Sequence, residues 1–567
     1  MCGFAYVYHL DSELDLDLAY SLASEYLSNR GPDYYKSFSN KQEFAYQSIL
    51  AIQSDINNPL INLKRDESFC LYNGEIYSKD EGLNQKYDNN LDNINALDKN
   101  IKLTDYLAKV DGMYAICQVN KIDAKVNSIN IARDPSGEKH LFYYISNKLI
   151  VISSVPGFIK EYCNLSSIDN DMIIDYIHRR HFIPYNKTAI KGIEQIPPGH
   201  CISFSTFSGI SLISNRFKGI KNLIDSTLIR ELKSISYQDY RNYLDSTFKS
   251  SFEKMLKAGK NNKSLSIISG GIDSTLSSYY LNDLNIDKML SICLDFEGKE
   301  SPAAISTELA AICNVEEHIL FKPSIDDYLN SLLRCQKLLA GPVNTHSFPS
   351  SMLIARKAKE LKCRIIYGGE GADELFLGYP CYSKLFLDFN GELDVRSDYT
   401  SRDELSSSSN LDGLMLNELK NAYDIYNSLF TSQEAYVKAS AWVDYHFQLS
   451  SVGYFANDLA LSDLGIEGRS VFARSEIIKL GLATPVDFLL HENKNKFCLH
   501  DLFKMHIKYL PLNKSGFAGF PNETLNYLDS PSKWKIWDVL GYRKNIDSID
   551  RAEAWKYINL EWFLYSL

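Results

Sequence analysis

Residues 265–275 read LSIISGGIDST and predict the architecture of the larger half of the chain. Residues 265–268 form an apolar run of strand length, and Ser269, Gly270 and Gly271 separate it from a stretch with helical spacing. A strand that turns through glycines into a helix is the first unit of a parallel α/β sheet. Because glycines let backbone N–H groups approach an anion and a helix N-terminus attracts negative charge, this turn is a candidate phosphate site.

The alternation of strand and helix continues after this turn. The predicted strands are residues 289–296, 317–321 and 364–367, and the predicted helices are residues 303–313, 325–339 and 350–361. Beyond residue 380 the pattern is mainly helical. We therefore predict a doubly wound parallel α/β sheet with added C-terminal helices.

Residues 1–205 have a different rhythm, in which short β-like runs, such as residues 4–8, 48–52 and 112–118, are separated by turn signals. Many short strands with two or three helical stretches predict a layered α+β domain. A polar tract follows these strands. We predict a first domain at residues 1–210, a linker at residues 211–235 and a second domain at residues 236–567.

The composition argues against several classes of protein. The 60 Lys and Arg residues against 71 Asp and Glu residues leave a net charge of −11, which argues against a general binder of nucleic acid or membrane surfaces. The N-terminus lacks the pattern of a signal peptide, and no apolar run is long enough for a transmembrane helix. The eleven cysteines are scattered without a CxxC pair or a Cys/His metal cluster. We predict a cytoplasmic protein with reduced thiols.

Cys2 follows the initiator methionine directly. If Met1 is removed, a thiol and a free α-amine lie on one residue, and an amine with an ordinary pKa of about 7.7–8.0 can accept the thiol proton near neutral pH. This pairing is typical of N-terminal nucleophile hydrolases. Asn73 and the Gly74 N–H are candidate donors to an oxyanion, and Glu75 is a candidate partner for a substrate ammonium. We predict that the Cys2 thiol attacks a carboxamide.

An acidic motif, GGEGADE at residues 368–374, follows the strand predicted at residues 364–367. Three carboxylates within five positions repel one another unless a cation neutralises them. Beside a phosphate loop the natural cation is Mg²⁺, which prefers one or two carboxylates plus phosphate oxygens. We predict that Asp273 and Asp373 hold this ion.

Four motifs in the first half resemble the class II glutamine amidotransferase domain, which releases ammonia from glutamine. They are MCG at residues 1–3, RGPD at 30–33, NGEIY at 73–77 and RDPSGEK at 133–139. The resemblance implies a layered αββα fold of the N-terminal nucleophile type, with glutamine bound by Leu50, Ile52, Glu75 and Asp92. Ile49 stands where this family has an arginine for the glutamine carboxylate, so we expect a weak glutaminase or a differently held substrate.

The second half resembles the ATP-pyrophosphatase domain of the asparagine synthetase family. SGGIDS at residues 269–274 resembles the pyrophosphate loop, and GGEGADELFLGY at residues 368–379 resembles the family signature SGEGADELFGGY. The resemblance implies that Lys496 stabilises a charged transition state and that Glu370 orients or deprotonates the attacking nitrogen. The implied ATP and pyrophosphate site consists of Ser269, Gly270, Gly271, Asp273, Ser274, Leu294, Gly368, Gly369 and Lys514.

The two resemblances cover nearly the whole chain and imply a ligase that forms a carbon–nitrogen bond with glutamine as amido donor. A carboxylate would be adenylated with release of pyrophosphate, and ammonia from glutamine would pass through an internal tunnel and displace AMP. The implied partners are glutamine, ATP with Mg²⁺ and a carboxylic-acid acceptor, without a tightly bound organic cofactor, nucleic acid or membrane. Since family members are often dimers, the resemblance also implies a homodimer.

Two alternative functions stay open at this point. The first is a cyclisation of the β-lactam synthetase type with an inactive glutaminase, which Cys2 and Glu370 argue against. The second is a non-catalytic scaffold, which the intact SGGIDS and GEGADE motifs argue against.

Three departures from the family pattern bear on the acceptor. Residues 341–347 (GPVNTHS) replace EPxxDPS, residues 458–469 keep the ends but not the polar centre of the helix DRMSMAxSxExR, and residues 471–474 (VFAR) replace PFLD. A buried substrate ammonium needs anionic or carbonyl partners, so the loss of two carboxylates would matter if they contact it. These changes predict either a pathway-specific acceptor other than aspartate or drift at positions that touch no substrate.

Overall fold

The computed structural model describes residues 2–52, 63, 67–79, 103–178, 185–206, 210–259, 262–284, 289–296, 302–395, 410–492, 494–508, 533–549 and 551–566. Within these residues the chain forms three β-sheets with flanking helices. No helix in these ranges is long and apolar enough to cross a bilayer.

The N-terminal half contains two antiparallel sheets. Their strands are β1 (Cys2–His9), β2 (Tyr34–Ser39), β3 (Glu43–Ile49), β4 (Phe69–Lys79), β5 (Val110–Ile122), β6 (Lys125–Arg133), β7 (Phe142–Ile145), β8 (Leu149–Ser153), β9 (Ile193–Gln195), β10 (His200–Ser205) and β11 (Ser211–Arg216). The first sheet has the order β2-β3-β1-β8-β7-β9 and the second has the order β11-β10-β6-β5-β4.

The two sheets pack face to face around one apolar core. Alternate residues of β1 face opposite ways, so that Phe4 lies in the core between the sheets while Val7 packs under the outer helices. The helices on the outside are Leu16–Tyr26, Pro156–Tyr162 and Asn170–His178 against the first sheet and Leu103–Leu107 against the second. The predicted layered αββα arrangement is confirmed.

The C-terminal half contains one parallel sheet. Its strands are β12 (Ser264–Ile267), β13 (Leu290–Leu294), β14 (Glu317–Phe321), β15 (Ile365–Gly368) and β16 (Glu467–Ser470). The order is β14-β13-β12-β15-β16, and every pairing is parallel. Helices lie on both faces, since Ile365 packs in one apolar cluster and its neighbour Ile366 in another, which confirms the doubly wound sheet.

The remaining helices connect and extend this sheet. They are Ile220–Leu223, Ser226–Ser234, Tyr237–Gly259, Ile272–Leu284, Ala303–Ile312, Ile325–Leu339, Ser347–Glu360, Ala372–Leu375, Pro380–Asp388, Asn410–Asn427, Ser432–Val443, Ser475–Ala483, Val486–Leu489, Phe497–Ile507, Ile536–Leu540 and Arg551–Ser566. Two segments, Asp444–Gly453 and Ala456–Ala460, are π-helical.

The structure differs from the sequence prediction at three places. The strand predicted at residues 48–52 ends at Ile49, because the Ala51 N–H donates to Asp33 instead of to a neighbouring strand. The segment predicted as a linker contains β11 and two helices. Glu467–Ser470, expected as the end of a helix, is the fifth strand of the parallel sheet. The polar sequence of Glu467–Ser470 does not predict a strand. This segment becomes a strand because it pairs with β15, and such tertiary pairing outweighs local propensity.

The strand order brings the two predicted phosphate-site motifs together. After β12 the chain adds β13 and β14 on one side of β12. It then crosses back and adds β15 on the other side of β12. Ligands of open α/β sheets bind at such a switch point, outside the carboxyl ends of the strands. The loops that follow β12 and β15 therefore meet at one edge of the sheet.

Candidate active sites

Cys2 lies at the start of β1, where its side chain is buried. Its backbone nitrogen donates to Asn73 Oδ1 at 3.0 Å. In the strand register Cys2 lies opposite Ile49, and both side chains belong to the same apolar cluster. Burial raises the pKa of the Cys2 thiol, so the thiolate would form only with the help of a base.

Asn73 and Gly74 reach this cysteine from β4. Asn73 is completely buried, and its Nδ2 donates to Asp458 Oδ1 at 3.4 Å. Gly74 has a φ of 122°, and a Cβ there would lie 2.0 Å from the Met113 carbonyl oxygen, so the position admits only glycine. The structure thus brings the predicted nucleophile into contact with Asn73, one of the two predicted oxyanion donors, and Gly74 follows Asn73 in β4.

The residues predicted to bind glutamine have different surroundings from one another. Both carboxylate oxygens of Glu75 accept hydrogen bonds from Arg469 Nη2, at 2.7 and 2.8 Å, so this carboxylate is engaged by the C-terminal half. Leu50 and Ile52 are buried, and the Leu50 backbone hydrogen-bonds Cys2. Asp92 lies outside the described residues.

The two loops at the switch point lie in direct contact. A Cβ at Gly369, after β15, would lie 3.0 Å from Asp273, after β12. Gly270 has a φ of 87°, and Ser269 Oγ lies 3.2 Å from Ser274 Oγ, which closes the first loop. Because glycine has no side chain, these positions permit the close approach of the two motifs.

The other residues predicted for the nucleotide site lie around these loops or outside the described part of the chain. A Cβ at Gly368 would lie 2.2 Å from Glu370 Oε2, so this position also favours glycine. Gly271 precedes the helix Ile272–Leu284, and Leu294 ends β13 and is buried. Lys514 lies outside the described residues.

The Lys496 ammonium lies between two carboxylates. Its Nζ is 2.6 Å from Asp273 Oδ2 and 2.7 Å from Asp373 Oδ1, although the two aspartates are far apart in sequence. Burial alone would lower the pKa of Lys496, but the two carboxylates outweigh this effect and raise it. Two carboxylates that converge on one cation fit the predicted Mg²⁺ ligands, with phosphate oxygens supplying further ligands. Among the residues in the described ranges, no group of three or more His, Cys, Asp or Glu could hold a metal by itself.

Glu370 and Glu374 complete the acidic loop. Burial raises the pKa of Glu370, whose carboxylate accepts a hydrogen bond from Asn457. Ser470 Oγ donates to the Glu370 carbonyl oxygen at 2.6 Å, which ties the loop to β16. Burial and the nearby Asp373 raise the pKa of Glu374 to about 7, and Tyr379 donates to its Oε1 at 2.7 Å.

Buried ion pairs join the two halves of the chain between these sites. The carboxylates and guanidiniums are at most 5% exposed, as in the pairs Arg30–Asp458, Glu75–Arg469 and Glu138–Arg474. From the sequence, Asp458 and Arg469 were expected only in a helix that bears on the acceptor, whereas their contacts lie at the glutaminase motifs. The available sequence signal was that Asp458 and Arg469 match the family pattern although the residues between them do not. Charged residues are rarely buried unless they are paired.

None of the eleven cysteines forms a disulfide in the structure, and the reduced state of their thiols stays a prediction. Cys2 begins β1 and lies among the glutaminase motifs.

Comparison with known proteins agrees with this geometry. A model of the glutamine amidotransferase domain matches residues 1–211, and a model of asparagine synthase matches residues 245–515. The chain is 24% identical over 401 residues to asparagine synthetase [glutamine-hydrolyzing] 1 of Bacillus subtilis (strain 168), covering 67% of this chain and 59% of that protein. It is 25% identical over 383 residues to asparagine synthetase [glutamine-hydrolyzing] of Brassica oleracea, covering 64% of this chain and 57% of that protein.

A glutamine amidotransferase domain that precedes a parallel-sheet synthetase domain defines the class of two-domain amidotransferases. Both halves of the chain thus match domains of the asparagine synthetase type. Its matches span less than two thirds of the length of these two relatives.

Proposed function

We propose that the protein is a glutamine- and ATP-dependent amidotransferase that converts a carboxylic acid into an amide. The observation that carries the proposal is the convergence of Asp273 and Asp373 on one ammonium group at 2.6 and 2.7 Å. These two residues come from the two loops that share the switch point, which is where an α/β sheet binds a nucleotide. When bound, Mg²⁺ would neutralise charge on the ATP phosphates at this pair of carboxylates.

In the N-terminal half, the Cys2 thiol would attack the carboxamide of glutamine after removal of Met1. The α-amine would take the thiol proton, and a thioester would form as ammonia leaves. Water would then hydrolyse the thioester to glutamate. The hydrogen bond from Cys2 nitrogen to Asn73 Oδ1 supports this assignment, because the Asn73 amide and the Gly74 N–H are then beside the reacting thiol.

In the C-terminal half, an acceptor carboxylate oxygen would attack the α-phosphorus of ATP, and pyrophosphate would leave. Ammonia would then attack the acyl carbon, with AMP as the leaving group. Glu370 is proposed to take a proton from the attacking nitrogen, since its raised pKa makes it a better base than an ordinary carboxylate. Lys496 is proposed to balance the charge that develops on the phosphates.

Ammonia must travel between the sites in its unprotonated form, because ammonium is not a nucleophile. The buried contacts of Asp458 and Arg469 with the N-terminal half exclude water from the interface along which the proposed passage would run. The domain boundaries, the homodimer and the cytoplasmic location stay predictions.

Aspartate is the first acceptor to test. Two of the three segments that depart from the family pattern, residues 341–347 and 471–474, make contacts within the chain. Arg474 pairs with Glu138 of the N-terminal half, and the Val343 carbonyl accepts hydrogen bonds from Asn559 and Tyr176. The pair with Glu138 gives Arg474 a role within the chain, whereas the Val343 contacts use only its backbone oxygen and do not distinguish aspartate from another acceptor.

The test is AMP release from Mg-ATP with glutamine or ammonium as nitrogen source and aspartate or a panel of other carboxylic acids as acceptor. We expect AMP and the amide with at least one acid, at a turnover of about 1 s⁻¹ or above for the acid that is the true acceptor. The absence of AMP release and of ATP–pyrophosphate exchange with every acid would contradict the proposal.

A further inference from the structure

Asp458 is a carboxylate of the C-terminal half that is completely buried against the N-terminal half. Its Oδ1 accepts hydrogen bonds from Arg30 Nη2 at 2.8 Å and from Asn73 Nδ2 at 3.4 Å, and its Oδ2 accepts one from the His140 N–H at 2.6 Å. These three partners belong to the N-terminal half. Asp458 thus contacts two of the glutaminase motifs, RGPD and NGEIY, from outside their domain.

The contact with Asp458 determines which way the Asn73 amide points. An ionised carboxylate can only accept hydrogen bonds, so the atom of Asn73 that faces Asp458 must be the donor Nδ2. The carbonyl oxygen Oδ1 then faces the Cys2 nitrogen, as observed at 3.0 Å. The reversed amide would place an oxygen against the carboxylate and an NH₂ group against the Cys2 nitrogen.

The surroundings of Asp458 keep it ionised and link it to Cys2 a second time. Burial alone would raise the pKa of Asp458, but the Arg30 guanidinium and the His140 hydrogen bond hold it well below its ordinary value. Arg30 also donates from Nε to the Cys2 carbonyl oxygen at 3.4 Å. Asp458 therefore reaches Cys2 through both Asn73 and Arg30.

We propose that Asp458 is a positioning residue for glutamine hydrolysis, and this inference rests on the proposed role of Cys2. Asp458 accepts one Nδ2 hydrogen of Asn73, which leaves the second hydrogen for the oxyanion and directs Oδ1 to the Cys2 nitrogen. The glutaminase site is then complete only when the C-terminal half is docked. The neighbouring Asn457 hydrogen-bonds Glu370, so the π-helical segment Ala456–Ala460 contacts both proposed sites.

A double-mutant cycle separates this role from a structural one. We expect Asp458→Asn to lower kcat for glutamine hydrolysis by roughly 10- to 100-fold, a part of the effect of losing an oxyanion donor outright. In an Asn73→Ala background the same substitution should lower kcat less than about threefold, because the group that it positions is absent. Ammonia-driven AMP release, measured on the same samples, should change less than about twofold.

Asp463→Asn is the matched control. Asp463 is also buried and paired with an arginine, Arg334 at 2.6 Å, a short distance further along the chain, but that pair touches none of the glutaminase motifs. Glutamine hydrolysis should change less than about twofold in this variant. If Asp458→Asn does not fold, Asp458→Glu keeps the charge and displaces the carboxylate, and it should show the same selective loss.

The outcomes distinguish the inference from the proposed function. An equal loss in the wild-type and Asn73→Ala backgrounds, or parallel loss of both activities in both Asp458 variants, would overturn the positioning role. Unchanged hydrolysis in Asp458→Asn would overturn it while leaving the proposed function intact. A wild-type protein that never hydrolyses glutamine would overturn the proposed glutamine step and this inference together.

Discussion

Arg469 Nη2 donates to both carboxylate oxygens of Glu75, at 2.7 and 2.8 Å, across the boundary between the two halves of the chain. The same guanidinium donates from Nε to Glu467 at 2.9 Å and from Nη1 to the Met255 carbonyl oxygen at 3.0 Å. Arg469 lies in β16, beside the strand that leads to Glu370. The motif NGEIY is therefore bound to the sheet that carries the proposed nucleotide site.

Arg469→Gln should destabilise the protein, because it removes the guanidinium that Glu75 and Glu467 share. Breaking a buried ion pair by removing one partner costs about 3–5 kcal/mol. We expect the midpoint of thermal unfolding to fall by several degrees. The double variant Glu75→Gln/Arg469→Gln should regain part of this loss, since it no longer buries the Glu75 charge. An unchanged midpoint in Arg469→Gln would contradict this account.

Cys2→Ala should abolish product formation from glutamine and leave product formation from ammonia intact, because only the first requires a thiol nucleophile. The measurement is AMP and amide release with each nitrogen source. Cys163→Ala removes a free thiol that is partly buried at the end of an outer helix and serves as control. Equal rates with glutamine in Cys2→Ala and the wild type, or an intact Met1 on the active protein, would refute the role.

Gly74→Ala should also abolish glutamine hydrolysis while ammonia-driven AMP release survives. The new Cβ would lie 2.0 Å from the Met113 carbonyl oxygen, and φ at 122° is strained for any residue with a side chain, so the N–H proposed for the oxyanion must move. Gly413→Ala is the control, since a Cβ there meets nothing within 4 Å in the helix Asn410–Asn427. That control should keep full activity and gain about 0.5–1 kcal/mol of stability. A fully active Gly74→Ala enzyme would exclude the proposed oxyanion site.

Asp273→Asn should abolish AMP formation with both nitrogen sources, because it removes one of two carboxylates that are proposed to share Mg²⁺. Glutamine hydrolysis, which occurs at the other site, should survive. Asp283→Asn alters an exposed aspartate on the same helix, Ile272–Leu284, and should retain AMP formation. Undiminished AMP formation in Asp273→Asn would rule out the metal assignment.

Glu374 should make stability depend on pH. Burial and Asp373 raise its pKa in the folded state to about 7 from an ordinary value of 4.5, so the folded state binds this proton more tightly than the unfolded state. The contribution is complete below pH 4.5 and is lost as the pH rises through 7. Glu374→Gln cannot ionise, so its free energy of unfolding should exceed that of the wild type by roughly 3 kcal/mol at about pH 8 and match it near about pH 4.5. The thermal midpoints of the two proteins should differ in the same direction. A difference that is constant across this range would show that Glu374 does not titrate in this way.

Much of the fold was predictable because its signals are local. The strand at Glu317–Phe321 and the helix at Ile325–Leu339 have the bounds that the sequence predicts, since apolar spacing and the Ser324 capping box mark them. Cys2 and Asn73 were expected in one site because their motifs resemble those of one known domain, and the Cys2 nitrogen lies 3.0 Å from Asn73 Oδ1. The strand Glu467–Ser470, by contrast, could not be predicted, because it depends on pairing with a strand that is distant in sequence.

The sequence by itself determined the alternation of strands and helices, the turns that require glycine and the chemical groups available at each site, because these depend on residues close together in the chain. Only the tertiary structure decided that Glu75 binds Arg469 and that Asp458 binds Asn73 and Arg30. A buried charge is stable only beside a partner, and no local pattern names a partner that lies hundreds of residues away. The strand order likewise placed Asp273 next to Asp373, because β12 and β15 are neighbours in the sheet but not in the chain.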